Sequence, residues 1–189
     1  MRVTYNMTSL QGKLLVSSPK LVDPNFFHTV VLIVQHNEDG ALGLVLNRPL
    51  QTSVREMWDE VGESDCGVEG VLHQGGPCEG PLMVLHTDED RAEMVVGGGM
   101  YFCTSRERIE KLIDGQASHT KFFVGYAGWT AGQLESEMGE GSWLTAPANI
   151  DAVFEGDEHL WTDLVRAISR AAVTNMVDPK RIPDDPSVN

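Results

Sequence analysis

His73 and Cys78 flank Gln74-Gly75-Gly76-Pro77 and are, by type, the pair in this chain best suited to nucleophilic chemistry. The imidazole would act as acid and base, and loop amides around the thiol would favour its thiolate. Arg48, in Asn47-Arg48-Pro49, offers a fixed cation with a planar donor fork that matches carboxylate or phosphate. Gly125-Tyr126-Ala127-Gly128-Trp129 adds glycine amides beside two aromatic rings. All three segments follow apolar, β-type runs, where loops carried by a rigid scaffold collect binding groups. Arg48, His73, Gly75, Gly76, Tyr126, Gly128 and Trp129 therefore form a candidate ligand pocket at strand ends. The same residues also read as scaffold, with Arg48 paired to a loop, the glycines in turns and the aromatics in the core. Loop glycines are more often turn formers than ligand cradles.

Other chemistry lacks a pattern. Gly97-Gly98-Gly99 lies between two strand-like runs and fits neither a dinucleotide fingerprint nor a phosphate loop. No G-x-S-x-G supports a hydrolase elbow, and Gly139-Glu140-Gly141-Ser142-Trp143 has the wrong spacing. His36, His73 and His86 all close strand-like runs and could converge, but none has metal-ligand spacing. Asp88-Glu89-Asp90 and Glu135/Glu137/Glu140 read as solvated acidic faces. Cys103 precedes a helix, whose dipole could lower its pKa, although a small buried hydrophobe is the commoner role. No catalytic residue, metal or cofactor is assigned.

Composition narrows the field. With 189 residues, 41% hydrophobic and 22% charged, the chain fits one folded domain with its own core. Its net charge is −14, and protonating all six histidines still leaves −8. Binding to duplex DNA rests on Lys and Arg neutralising phosphates, so direct DNA contact is disfavoured. Three cysteines without C-x-x-C spacing suit a reducing, cytoplasmic setting. The polar start of the chain has no signal core, and its longest aliphatic run, Val30–Val34, is too short to span a bilayer.

The elements that must hold these groups follow from periodicity. Strands are expected at Gly12–Ser17, Thr29–His36 and Ala41–Asn47, the last two joined by a hairpin through Asp39-Gly40. Val30–Val34 shows no polar alternation, which predicts burial on both faces. Further strands are expected near Gly70–His73, Pro81–His86, Glu93–Val96, Met100–Cys103 and Lys121–Tyr126, and edge strands at Ser142–Thr145 and Ile150–Phe154. Ser53–Gly62 is a helix with a Ser53/Glu56 capping box and a Val54, Met57, Trp58, Val61 stripe. Thr104 and Glu107 open a second helix that stops at Gly115, and Thr130/Gln133 open a third that runs to Met138. A last helix runs from Glu158 to about Ala172. The whole reads as α+β: one domain over 10–175, a mixed sheet of hairpins flanked by several helices, with flexible tails at 1–9 and 176–189.

The ordered segments resemble the AlgH/YqgE family. Leu10–Ser17, Pro24-Asn25-Phe26-Phe27, Asn47-Arg48-Pro49, His73-Gln74-Gly75-Gly76-Pro77 and Leu85-His86 carry the resemblance. So do Gly125–Trp129, Gln133-Leu134-Glu135 and Gly141-Ser142-Trp143. It spans about Leu10 to Ala172 and implies an α+β fold around a mixed sheet. The family's label of transcriptional regulator arose from an effect on alginate production, and it implies no catalytic residue, cofactor or substrate. Cys78 stands where that pattern has an aliphatic residue, which weakens a redox role.

Three functions remain open. The leading one is a non-catalytic cytoplasmic protein with a regulatory role that binds a small ligand or a protein partner. The second is a transcriptional regulator acting directly on DNA, opposed by the acidic charge and the lack of a basic stripe. The third is an enzyme using His73 and Cys78 in a strand-end pocket.

Overall fold

A computed structural model of the chain describes residues 9–62, 64–114 and 117–176. In order, the elements are β1 (Lys13–Ser17), β2 (Val30–Asn37), β3 (Gly40–Val45), β4 (Pro49–Ser53), α1 (Val54–Val61), β5 (Val71–Gln74) and β6 (Cys78–His86). After a 3-10 turn at Glu89–Arg91 come β7 (Met94–Gly97), β8 (Met100–Cys103), α2 (Arg106–Leu112), β9 (Thr120–Thr130) and α3 (Gln133–Gly139). β10 (Trp143–Pro147), α4 (Ile150–Phe154) and α5 (Leu160–Met176) complete the fold. The sheet runs β10-β1-β2-β3-β9-β6-β8-β7, with the β4–β5 hairpin attached to β9 through β5. β5 and β9 pair in parallel and the other ladders are antiparallel, so the sheet is mixed and the class is α+β.

The sheet curls on itself. β7 and β2 are far apart in strand order yet lie in contact, and the Gln11 side-chain amide donates to the Val95 carbonyl across the gap. Its inner face holds Leu14, Val16, Leu32, Leu44, Leu85 and Phe123, closed off by Val153 of α4 and Leu160 of α5. The outer face carries two separate cores. α1 and α2 cover Leu72, Val84 and Phe122, while α3 and the loop around Phe26 cover Leu15, Val31, Ile33 and Trp129. β2 shows why its run is uniformly aliphatic, because Val30, Leu32 and Val34 point inward and Val31 and Ile33 outward.

Gly125 decides what faces where. It has φ +72°, a conformation that glycine adopts without strain. Before it, Phe123 faces inward and Phe122 and Val124 outward; after it, Tyr126 packs on the inner core and Ala127 and Trp129 on the outer. The alternation of β9 is thus shifted by one residue.

Local capping signals hold best where both partners are near in sequence. Ser53 and Glu56 form the full capping box of α1. Gly62 ends that helix, but in extended backbone rather than a left-handed cap; a Cβ there would sit 2.3 Å from the Trp58 indole. Three expectations are corrected. Ile150–Phe154 is a helix, because the Asn149 side chain caps it by accepting from Ala152 N–H, and buried Lys121 holds its Val153 carbonyl at 3.0 Å. α2 has no local box: the Glu93 carboxylate, ahead of β7, takes the Thr104 and Ser105 amides. α3 begins at Gln133 and not at Thr130, which remains in β9 with its N–H on the Gln133 side chain at 3.1 Å. Gly115 lies outside the described residues, as do nearly all of the tails expected at 1–9 and 176–189.

Candidate functional site

An open groove crosses the outer face where β5, β9 and β6 meet. β6 and β9 fall out of register there: Cys78 pairs with Tyr126 and Leu82 with Val124, which leaves Glu79, Gly80 and Pro81 opposite Gly125 alone. The bulge and the β4–β5 hairpin bound a depression of about 700 Å³ lined by Leu50, Gln74, Pro77, Glu79, Val124 and Gly125. Next to it is an apolar pocket of about 160 Å³ formed by Trp58, Val61, Leu82 and Ile109, with Thr104 and Arg106 at its rim. The two are neighbours, because Leu82 of the pocket and Val124 of the depression are cross-strand partners on the same core. Leu50 and Val124 give the depression an apolar part beside the polar Gln74 and Glu79, and Leu82 and Ile109 line the smaller pocket. Val61, in the helical stripe of α1, is 53% exposed at its edge.

The seven candidate residues do not gather in one pocket. Arg48 donates through Nη2 to the carbonyls of Pro24 (3.2 Å) and Phe27 (3.5 Å), and Asn47 beside it bonds Val30 N–H and the His28 carbonyl. Together they pin the loop before β2, where His28 takes φ +53° and stacks between Phe27 and Trp161. His73 lies against Phe123, on the inner face. Tyr126 also faces inward, and a Cβ on Gly128 would meet its ring at 3.1 Å. Trp129 is on the other face, its indole N–H donated to Glu137 at 2.9 Å. Gly75 and Gly76 lie where β3 leaves β9 and β5 joins it: the Gly75 carbonyl takes Val45 N–H, and its N–H goes to Val124. Of the seven, only Gly76 lines the groove. Leu50, Leu82 and Val124, which form its floor, have no motif. Gly80-Pro81, expected at the start of a strand, lies inside β6, where proline marks a bulge or an edge.

The titratable groups support structure more than reaction. His36 is held at both nitrogens: Nδ1 accepts from Leu10 N–H, and Nε2 is 2.7 Å from Glu135. His73 Nδ1 is buried without a hydrogen-bond partner among the described residues, so no bond from it reaches Cys78. Burial, helped by the charge of Lys121, pushes the His73 pKa down to about 4. His86 is fully buried with neither ring nitrogen paired among the described residues, and burial lowers its pKa too. Lys121 is driven down to about 8 by burial. Burial also pushes Cys103 up to about 12, the reverse of thiolate activation.

These histidines predict an acid-sensitive fold. The unfolded chain binds more protons than the folded one between pH 6.5 and about 4 at His73, so stability is complete above 6.5 and drains away as pH falls. His86 acts in the same direction. The urea midpoint is therefore expected to drop from pH 7 to pH 5. His86→Leu should match or exceed wild type at pH 7, because an apolar replacement leaves no polar group unpaired. Its advantage should widen at pH 5; parallel pH profiles would place the acid sensitivity elsewhere.

Comparison with known proteins sets this geometry in a family. An AlgH-like family model (DUF179) matches residues 14–172. The chain belongs to the AlgH-like family. A UPF0301 protein of Chlorobaculum tepidum is 41% identical over 169 residues, covering 82% of this chain and 85% of its own length. Another from Idiomarina loihiensis is 41% identical over 157 residues, covering 78% and 84%. The solution structure of the AlgH protein from Pseudomonas aeruginosa matches with TM-score 0.68 at 28% identity over the whole of both chains. A Corynebacterium diphtheriae protein shares the fold at TM-score 0.68 and 23% identity, covering 82% of this chain and 85% of its own. In this AlgH-like chain, the segments that carry the resemblance build the splice around β9 and the pinned loop before β2. The groove lies beside that splice.

Proposed function

We propose that this AlgH-like protein is a non-catalytic binding module with a regulatory role, and that its groove receives an extended segment of a partner polypeptide. The observation that carries this reading is the open depression at Leu50 and Val124 lying next to the apolar Trp58 pocket, with Val124 and Leu82 paired across the strands between them. Small-molecule sites enclose most of their ligand, whereas extended peptides lie in shallow grooves and anchor by single side chains. The three free cysteines suit a reducing compartment, so the reading includes the cytoplasm. Among the described residues, no helix is long and apolar enough to cross a membrane.

Selection from a displayed peptide library tests it. Selected peptides are expected to lose at least about tenfold in affinity for Val61→Asp, because a carboxylate at the pocket edge must be desolvated by an apolar anchor. Arg48→Ala, which loosens only the loop before β2, should retain binding. Failure to select any peptide, or equal binding by Val61→Asp, would remove the groove as the site.

A further inference from the structure

The two ends of the groove differ in charge and in what their polar groups already do. At the narrow end, the Arg106 guanidinium bonds the Glu110 carboxylate at 2.8 Å and the Val61 carbonyl at 3.2 Å. That cation is neutralised from within, and apart from Thr104 at the rim the pocket it borders is apolar. At the wide end, Glu79 is exposed on the bulge, and no hydrogen bond or ion pair engages its carboxylate among the described residues. The Gln74 side chain is exposed beside it, also without a hydrogen bond. The whole chain has a net charge of −14.

From these observations we infer that the partner segment is basic and apolar: an extended peptide with one bulky apolar side chain for the Trp58–Leu82–Ile109 pocket and a lysine or arginine directed at Glu79. This rests on the groove being the binding site. A cationic side chain gains from an unengaged carboxylate and from the field of the acidic body, which speeds encounter and rejects acidic competitors. The apolar anchor supplies the salt-independent part of binding. Glu79 and Leu82 lie within one bulge of β6, where Cys78–Leu82 is matched by only Tyr126–Val124 of β9, so one short extended segment reaches both. An acidic segment would meet Glu79 without compensation and would be excluded.

The test uses three end-blocked, fluorescein-labelled peptides with one leucine anchor and two lysines, two glutamines or two glutamates at the flanking positions. Binding to the full chain is read by fluorescence anisotropy at low and high salt. The lysine peptide is expected to bind at least about tenfold tighter than the glutamate peptide, with the gap narrowing as salt screens it. Glu79→Lys, an exposed change, should narrow the gap markedly, since it removes the local carboxylate while the net charge goes only from −14 to −12. An unchanged gap would overturn the assignment to Glu79. If all three peptides bind equally and all weaken in Val61→Asp, the charge assignment is wrong and the groove reading stands. If none binds, or binding ignores Val61→Asp, both fall together.

Discussion

Gly76→Ala is expected to lower the thermal midpoint by roughly 10 °C or more, whatever ligand is present. A Cβ at Gly76 would sit 2.2 Å from the Tyr126 carbonyl carbon and 2.3 Å from Ala127 N, both backbone atoms of the central strand β9. Neither can move without disturbing β3 and β6, which pair with the same strand. Its φ of +156° adds to the cost. Overpacking and backbone strain each cost about 1–3 kcal/mol, so together they come to about 4 kcal/mol. In a domain of this size, each kcal/mol shifts the midpoint by about 2–4 °C. Gly139→Ala is the control: nothing lies within 4 Å, φ is not positive, and the residue ends α3, so the change should be neutral or slightly stabilising. If Gly76→Ala melted with wild type but lost a ligand, the glycine pair would be a ligand cradle and not a splice.

Glu137→Ala should cost about 3 kcal/mol, read as a lower denaturant midpoint with unchanged slope. One carboxylate oxygen accepts both the Trp129 indole N–H (2.9 Å) and the Trp143 indole N–H (2.8 Å), while the other takes the Gln133 side chain at 2.9 Å. Both tryptophans are at most 5% exposed, and Phe26 packs against both rings. Removing the carboxylate leaves two buried donors unpaired, each costing about 1–3 kcal/mol. The near-ultraviolet dichroism of the tryptophans should change with it. Glu137→Gln keeps an acceptor for the indoles and should recover most of the loss. A Glu137→Ala protein as stable as wild type would show that another group satisfies the indoles.

Glu137 also marks a limit of sequence reading. In the chain it is one of three acids on a short helix, the pattern of a solvated face. Its partners, Trp129 and Trp143, come from β9 and β10. Glu93 is a similar case, since it caps α2 from eleven residues away, across the β7–β8 hairpin. The groove was hidden for the same reason. Its apolar lining comes from β4, α1, β6, α2 and β9, one or two residues from each, and each is ordinary in its own element.

What the chain declared alone was governed by neighbours in sequence. The Ser53/Glu56 box, the Asp39-Gly40 hairpin, the doubly buried Val30–Val34 strand and the α+β class with a mixed sheet depend on propensity and periodicity within a few residues. The ordered glycine-bearing segments were legible too, and they lie within the stretch that the AlgH-like family model matches. Only the tertiary structure assigned those glycines to a splice and parted Trp129 from His73. The shift at Gly125 depends on the carbonyls of Gly76 and Cys78, which crowd within 2.9 Å of where its Cβ would be. Contacts between segments nearly fifty residues apart decided which face each side chain took, and no local pattern encodes them.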